Sequence, residues 1–264
     1  MQRRIGELFL NASIPSRAKP APHFRSLNHH PQAMCFSASA SFVAGITLSV
    51  AGVATLKQAK RKTEIPFALI PLLFGIQQIT EGVIWLTFRH DAPLLKQTMT
   101  YVYSIFSHVW WPIYVPFAIG YLESAPWRRR TLLAFQAAGM VVGLYLLYSL
   151  IARPIVAETV GKHIGYVSPH FYLLPVMVLY VAATCVSCLF SSHRFVNLFG
   201  MLAFVAFVAS YLVHARALVS IWCFFAAVLS LLVYLHLRFR GLGGFPRDPL
   251  SSTSMTTGGA TDAG

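Results

Sequence analysis

The sequence predicts an all-α membrane protein: a bundle of seven transmembrane helices with its N-terminus outside and its C-terminus in the cytoplasm. Three observations predict it. Only 11% of the 264 residues are charged and 56% are hydrophobic, against about a quarter charged in a soluble domain. The charges gather in short clusters, and the apolar stretches between them run about 20 residues, the length that crosses about 30 Å of hydrocarbon as a helix. Basic residues divide unevenly between alternate connections, which orients such a chain.

The elements follow in order. Residues 1–33 carry Arg3, Arg4, Arg17, Lys19 and Arg25, a single acid (Glu7) and Pro15, Pro20, Pro22 and Pro31. They contain no apolar run long enough for a signal-peptide core. They predict a disordered basic extension, which is not part of the protein if translation begins at Met34. The spans are predicted at 39–56, 65–88, 98–122, 131–151, 170–190, 198–214 and 219–237. The last two are divided at Arg216, because an arginine in mid-bilayer is costly. Residues 241–264 are rich in Gly, Ser and Thr and predict a disordered tail.

Orientation follows from the basic residues. One set of connections holds Lys57, Lys60, Arg61, Lys62, Arg128 to Arg130, Arg194, Arg238, Arg240 and Arg247, eleven in all. The other holds Arg89, Lys96, Arg153, Lys162 and Arg216, five in all. The richer set belongs inside. The net charge of +13 therefore sits at span ends, where it meets phospholipid headgroups. No basic face with interleaved aromatics is present, so the expected partner is the lipid bilayer and not nucleic acid. The oligomeric state is open. Cys35, Cys185, Cys188 and Cys223 make no disulfide framework, and the Cys185-x-x-Cys188 pair alone completes no zinc site. Small packing residues are the expected reading of that pair.

Several short motifs stand in one order: Met34-Cys35-Phe36-Ser37-Ala38, Pro71-Leu72-Leu73-Phe74, Gln77-Gln78-x-x-Glu81-Gly82, Trp111-Pro112-x-x-x-Pro116, Ser191-Ser192-His193-Arg194, Trp222-Cys223-Phe224-Phe225 and Tyr234-Leu235-His236-Leu237. Through them, over roughly residues 34–240, the chain resembles an uncharacterised family of bacterial integral membrane proteins whose members open with Met-Cys-Phe-Ser-Ala. The resemblance implies a bacterial inner-membrane setting and a start at Met34. It carries over no catalytic residue and no cofactor. The paired histidines of seven-span hydrolases such as the alkaline ceramidases are not matched, since His236 has Leu232 four residues before it and Arg240 four after.

Of eight acidic residues, Glu81 alone lies well inside a span. A carboxylate in hydrocarbon is costly unless protonated, paired or facing water. Gln77, Gln78, Glu81 and Trp85 fall at helical spacing on one stripe, which must face protein or a wet cavity. The third span offers Tyr101, Tyr103, Ser104, Ser107 and His108, and its prolines, Pro112 and Pro116, predict kinks. From the predicted span ends, Glu81 and His108 lie about 10 and 15 Å deep, close enough to meet. Tyr211, His214 and Cys223 add polar groups from the last two spans. The candidate ligand-binding residues are therefore Glu81, Gln77, Gln78, His108, Ser107, Tyr211, His214 and Cys223. The bland alternative is that Gln77 and Gln78 are interhelical glue and His214 an interfacial anchor. No metal site is assigned, because His214 is about 10 Å shallower than the other candidates. Three functions remain in view. One is an outward-facing pocket that binds or transports a small polar ligand, a proton or a lipid headgroup. The second is a lipid hydrolase or acyltransferase, with or without a metal. The third is a structural or sensor subunit.

Overall fold

The computed structural model describes residues 38–90, 92–168 and 170–239. The expected extension 1–33, Cys35 and the expected tail 241–264 lie outside the described residues. Helices come in the order α1 (Ala38–Gln58), α2 (Ile65–Ala68), α3 (Ile70–Thr87), α4 (Pro93–Ser104), α5 (Trp111–Leu122) and α6 (Pro126–Ala152). A hairpin of β1 (Val156–Val160) and β2 (His163–Val167) follows, then α7 (Leu174–Val181), α8 (Ser187–Leu189), α9 (Arg194–His214), α10 (Leu218–Leu229) and α11 (Leu231–Phe239). Among the described residues, four continuous stretches are long and apolar enough to cross a membrane: Ala38–Gln58, Lys62–Thr87, Pro126–Ala152 and Arg194–Phe239. The last of these folds back at a single 3-10 turn, Ala215–Ala217, so that the Trp222 indole donates to the Ala203 carbonyl at 2.9 Å.

The distribution of side chains is inverted relative to a protein in water. The outer faces carry Val43, Val50, Val141, Ile151, Leu212 and Val213, all strongly exposed. The interior holds Gln77, Gln78, Glu81, Ser104, Ser107 and His108. Apolar exteriors of this extent suit hydrocarbon, which leaves polar groups no partner except each other.

α1 lies along α3, and its buried stripe is Ser41, Gly45, Leu48, Gly52 and Thr55. This spacing brings small residues to one face and lets two backbones approach closely. A Cβ at Gly52 would stand 2.5 Å from the Leu72 amide nitrogen, and one at Gly45 2.7 Å from the Ile79 side chain. α3 is thereby held with its polar stripe turned inward.

Two prolines set the backbone of the next pair of helices. Pro112 has no N–H, and the turn before it, Ile105–Trp110, widens to a π-helical turn. The Trp111 amide donates to Phe106, five residues back. The Ser107 carbonyl is then passed over by Trp111 and has no donor in Pro112. Pro116, inside α5, likewise gives no donor to the Pro112 carbonyl. α6 packs there: a Cβ on Gly139 would lie 1.9 Å from the Pro112 oxygen, so only glycine permits the approach.

The hairpin corrects the expectation of an all-α chain. Its register pairs Val160 with His163 and Ala157 with Tyr166, and Gly161 takes the left-handed φ of +61° in the two-residue turn. Ile155, Ala157, Ile164 and Tyr166 are buried, so one face of the hairpin plugs the end of the bundle. The Gln97 amide donates to the Ile155 carbonyl at 3.2 Å. Several boundaries also move. Helix runs from Pro93 rather than 98, from Pro126 rather than 131, from Leu174 rather than 170 and from Arg194 rather than 198.

At the opposite end of α6 the connections are latched by Glu123. Its carboxylate accepts from the Ser192 amide and hydroxyl, both at 2.7 Å, and from the Ser124 and Ala125 amides at 3.2 Å. Burial by itself would raise this carboxyl, but the hydrogen bonds from Ser192 and Ala125, with His193 close by, hold it below its ordinary 4.5. Burial holds the His193 imidazole below its ordinary 6.5, and its ring packs on His236 at 4.9 Å.

Two predictions follow from this packing. Gly139→Val is expected to lower stability by about 1–3 kcal/mol through overpacking, read as thermal unfolding in detergent. Gly120→Ala, whose Cβ would meet only Leu132 at an ordinary 3.6 Å, is expected to be tolerated, and equal unfolding of the two variants would contradict the packing described. Stability is also expected to decline as pH falls below 6.5, where the unfolded histidine takes up a proton that the buried one refuses. It should decline again below 4.5, where the unfolded carboxylate protonates while Glu123 stays ionised. Glu123→Gln should flatten the second decline and deepen the first, because it removes a carboxylate that favours the charged His193 imidazole, in melting temperatures followed against pH.

Candidate functional site

The site is built around the α3 stripe. Gln77, Gln78, Glu81 and Trp85 are all buried, Glu81 at 2% exposure. α10 supplies the partner of the carboxyl: the Ser220 hydroxyl donates to Glu81 Oε1 at 2.6 Å. The Tyr103 hydroxyl of α4, the Tyr166 hydroxyl of β2 and the Gln78 amide also face this carboxyl, each without a hydrogen bond of normal geometry. The Tyr103 and Tyr166 rings stack at 4.5 Å, 9° from parallel. Two helices, a further helix from the far end of the chain and a strand therefore meet at one side chain.

One turn deeper on α3, the Trp111 indole donates to Gln77 Oε1 at 2.6 Å, while the Gln77 amide nitrogen faces the Cys223 thiol without a hydrogen bond of normal geometry. Trp111 stacks on Phe74 at 3.9 Å. The buried Cys223 thiol lies beside Gln77, Glu81 and Tyr103. Beyond it is a small cavity of about 30 Å³, lined by Phe74, Trp111, Tyr180, Cys185, Trp222 and Cys223 among others, about the space of one water. A second π-helical turn, Ala182–Val186, carries Cys185 to this cavity.

His108 does not meet Glu81. The Ser107 hydroxyl bonds its Nδ1 at 2.8 Å, its Nε2 has no partner and its ring packs edge-on against Phe171 at 5.1 Å. The reason lies in the helix start. With α4 beginning five residues earlier than expected, His108 sits about 7.5 Å deeper, and Tyr103 comes to the level of Glu81 in its place. Tyr180 of α7 donates its hydroxyl to the Ser107 carbonyl, the acceptor that Pro112 leaves open. Ser107 and His108 thus belong to a second buried polar group one to two turns from the first.

Tyr211 and His214 also stand apart. Both are exposed. The His214 ring lies 5.1 Å from that of His163 on β2. Of the eight candidate residues, the structure brings together Glu81, Gln77, Gln78 and Cys223 around one carboxyl. It places Ser107 and His108 beside them and puts Tyr211 and His214 on the surface. Among the described residues no group of three or more His, Cys, Asp or Glu is arranged to hold a metal ion.

Sequence reasoning missed Tyr166, Ser220 and Tyr180. The signal for Tyr166 was present. Two runs rich in β-branched residues, Ile155 to Val160 and His163 to Val167, flank Gly161-Lys162, a hairpin pattern, but sat where a connection between spans was expected. Nothing local distinguishes Ser220 from other serines.

Tyr166 faces two ways. Besides flanking Glu81 it forms part of the wall of a cavity of about 460 Å³ at the hairpin end, with Glu158, Ser168, Tyr172 and Arg216. The Tyr172 hydroxyl, donating to the Ala215 carbonyl at 2.9 Å, ties the hairpin side of this cavity to the α9–α10 turn.

Tyr180→Phe tests the description of the second polar group. It strands the Ser107 carbonyl and is expected to cost about 1–3 kcal/mol, read by chemical unfolding of the purified protein. Wild-type stability in that variant would mean the carbonyl is satisfied in another way.

No curated protein and no solved structure matches the chain. A family profile matches residues 34–245. On that match the chain belongs to DUF6629, a family of unknown function.

Proposed function

We propose that this chain is a seven-span protein of the bacterial inner membrane, with the hairpin end outside and the C-terminus in the cytoplasm. We propose further that Glu81 accepts a proton or a small polar ligand that arrives from the hairpin end past Tyr166. Seven spans result if the run Arg194–Phe239 counts as two antiparallel helices and if 93–122 and 174–189, each interrupted by a π-helical turn, count as one apiece. The eleven-to-five division of basic residues then sets the orientation. In this reading the partner is the lipid bilayer, and nucleic acid is not.

The observation that carries the functional part is the mismatch around Glu81. A polar stripe that served only to pack helices would be matched group for group, since each buried unsatisfied group costs about 1–3 kcal/mol. Here one carboxyl has one hydrogen bond of normal geometry, from Ser220, while the Gln78 amide and the hydroxyls of Tyr103 and Tyr166 crowd round it without one. Such a set is suited to a guest that supplies the missing bonds or to a proton that rearranges them. The tyrosine that completes it is also a wall of the larger cavity. Ionisable groups in such surroundings are functional more often than structural. The hydrolase or acyltransferase alternative draws less support, because the Cys223 thiol has Gln77, Glu81 and Tyr103 beside it and no histidine.

The test is infrared difference spectroscopy of the full-length protein in nanodiscs between acid and alkaline buffer. A protonated-carboxyl band that responds to pH, is lost in Glu81→Gln and moves in Tyr166→Phe is the expected result. An identical spectrum in Glu81→Gln, with the variant's yield and melting reduced, would make the stripe a packing feature and end this reading.

A further inference from the structure

The cavity at the hairpin end has a chemistry separate from that of Glu81. Its wall carries one carboxylate, Glu158 on β1, and one guanidinium, Arg216 in the turn between α9 and α10. Both are exposed. Among the described residues neither enters an ion pair. Opposite charges that line one cavity without pairing are available to a ligand carrying the complementary pair. The backbone beneath them is closely held. Gly165 packs so tightly that a Cβ there would stand 2.7 Å from the Val160 side chain and 3.2 Å from the Arg216 carbonyl, and Tyr172 ties the same turn to the hairpin side through Ala215. Tyr166, Tyr172 and Ser168 line the same cavity.

We infer that this cavity binds a zwitterionic phosphate ester bearing an amine, with the phosphate at Arg216 and the ammonium at Glu158. A guanidinium matches phosphate oxygens in geometry and charge, and a carboxylate beside tyrosine rings suits an ammonium. A purely anionic ligand would meet the repulsion of Glu158, and a purely cationic one that of Arg216. The volume of about 460 Å³ lies within the range of small-molecule sites. The chain directly flanking the lining is apolar and exposed: Leu212 and Val213 before the turn at 76% and 71%, and Leu174 after Tyr172 at 72%. Exposed apolar residues so near the lining in sequence suit acyl chains, so the ester is either a lipid headgroup or its free, deacylated form. The inference rests on reading the hairpin end as the outer, ligand-receiving end. It names the class of ligand received there.

The experiment uses the full-length protein in a non-ionic detergent, with calorimetric titration of short-chain phosphatidylethanolamine, short-chain phosphatidylglycerol and glycerophosphoethanolamine. Phosphatidylethanolamine is expected to bind more tightly than phosphatidylglycerol. Arg216→Gln should weaken phosphatidylethanolamine binding at least about tenfold, and Glu158→Gln should weaken it while leaving phosphatidylglycerol unchanged or tighter. Comparable binding of glycerophosphoethanolamine supports the inference with a free solute as the source, and binding of the lipid alone supports it with the membrane as the source. Equal binding of the two lipids by the wild-type protein, or phosphatidylethanolamine binding that neither variant alters, overturns it. Both substitutions are at exposed positions, and circular dichroism melts check that the variants fold. Failure here with the Glu81 infrared band intact would sink this inference alone. Charge discrimination intact with a silent Glu81 would sink the earlier reading alone.

Discussion

The hydrogen bond from Ser220 to Glu81 is the contact on which the arrangement of the bundle turns. A carboxyl enclosed by an apolar helix bundle has no water to fall back on, so the chain must bring it partners from elsewhere in the fold. Ser220 comes from 139 residues further along. Tyr103 comes from the neighbouring helix, and Tyr166 from a strand inserted between helices. Once α3 is committed to carrying Gln77, Gln78 and Glu81 on one stripe, α4, α5, α10 and the hairpin must all meet that stripe. The glycines of α1 hold α3 turned the right way.

A second constraint comes from proline. Each proline within a helix leaves a carbonyl without its amide donor, and in an apolar interior that carbonyl must be answered. The fold answers two of them by different means. The Ser107 carbonyl, isolated by the π-helical turn and Pro112, takes a proton donor from Tyr180. The Pro112 carbonyl, isolated by Pro116, is approached by the bare Cα of Gly139, an arrangement of the kind that gives weak C–H···O contacts at helix interfaces. The same irregular backbone carries His108 and Cys185 into the interior, so the departures from regular helix lie beside the polar groups. π-helical turns are often found at functional positions.

The two ends of the bundle are built differently. Around Glu123 the polar groups are satisfied: a carboxylate accepts from three backbone amides and a hydroxyl and joins separate connections. Around the hairpin they are satisfied only in part. The Tyr166 hydroxyl faces Glu81 without a hydrogen bond of normal geometry, and a cavity of about 460 Å³ opens beside it, lined by Glu158 and Arg216. A latch at one end and an open, charged cavity at the other is an asymmetry suited to a protein that receives something from one side.

Residue chemistry alone determined much of this. The length and spacing of the apolar runs, the uniqueness of Glu81 among the acids and the spacing of Gln77, Gln78, Glu81 and Trp85 required a helical bundle with a polar stripe turned inward. These are local properties, fixed by composition and the helical period. Tertiary structure decided which groups answer the stripe. Tyr103 rather than His108 stands at the level of Glu81, because α4 begins at Pro93 and its first turns dock against the hairpin through Gln97. Ser220 and Tyr166 were invisible because a serine in an apolar helix and a tyrosine in a connection gain their meaning only from distant neighbours. Depth in a bundle is set by contacts between helices, which no single segment encodes.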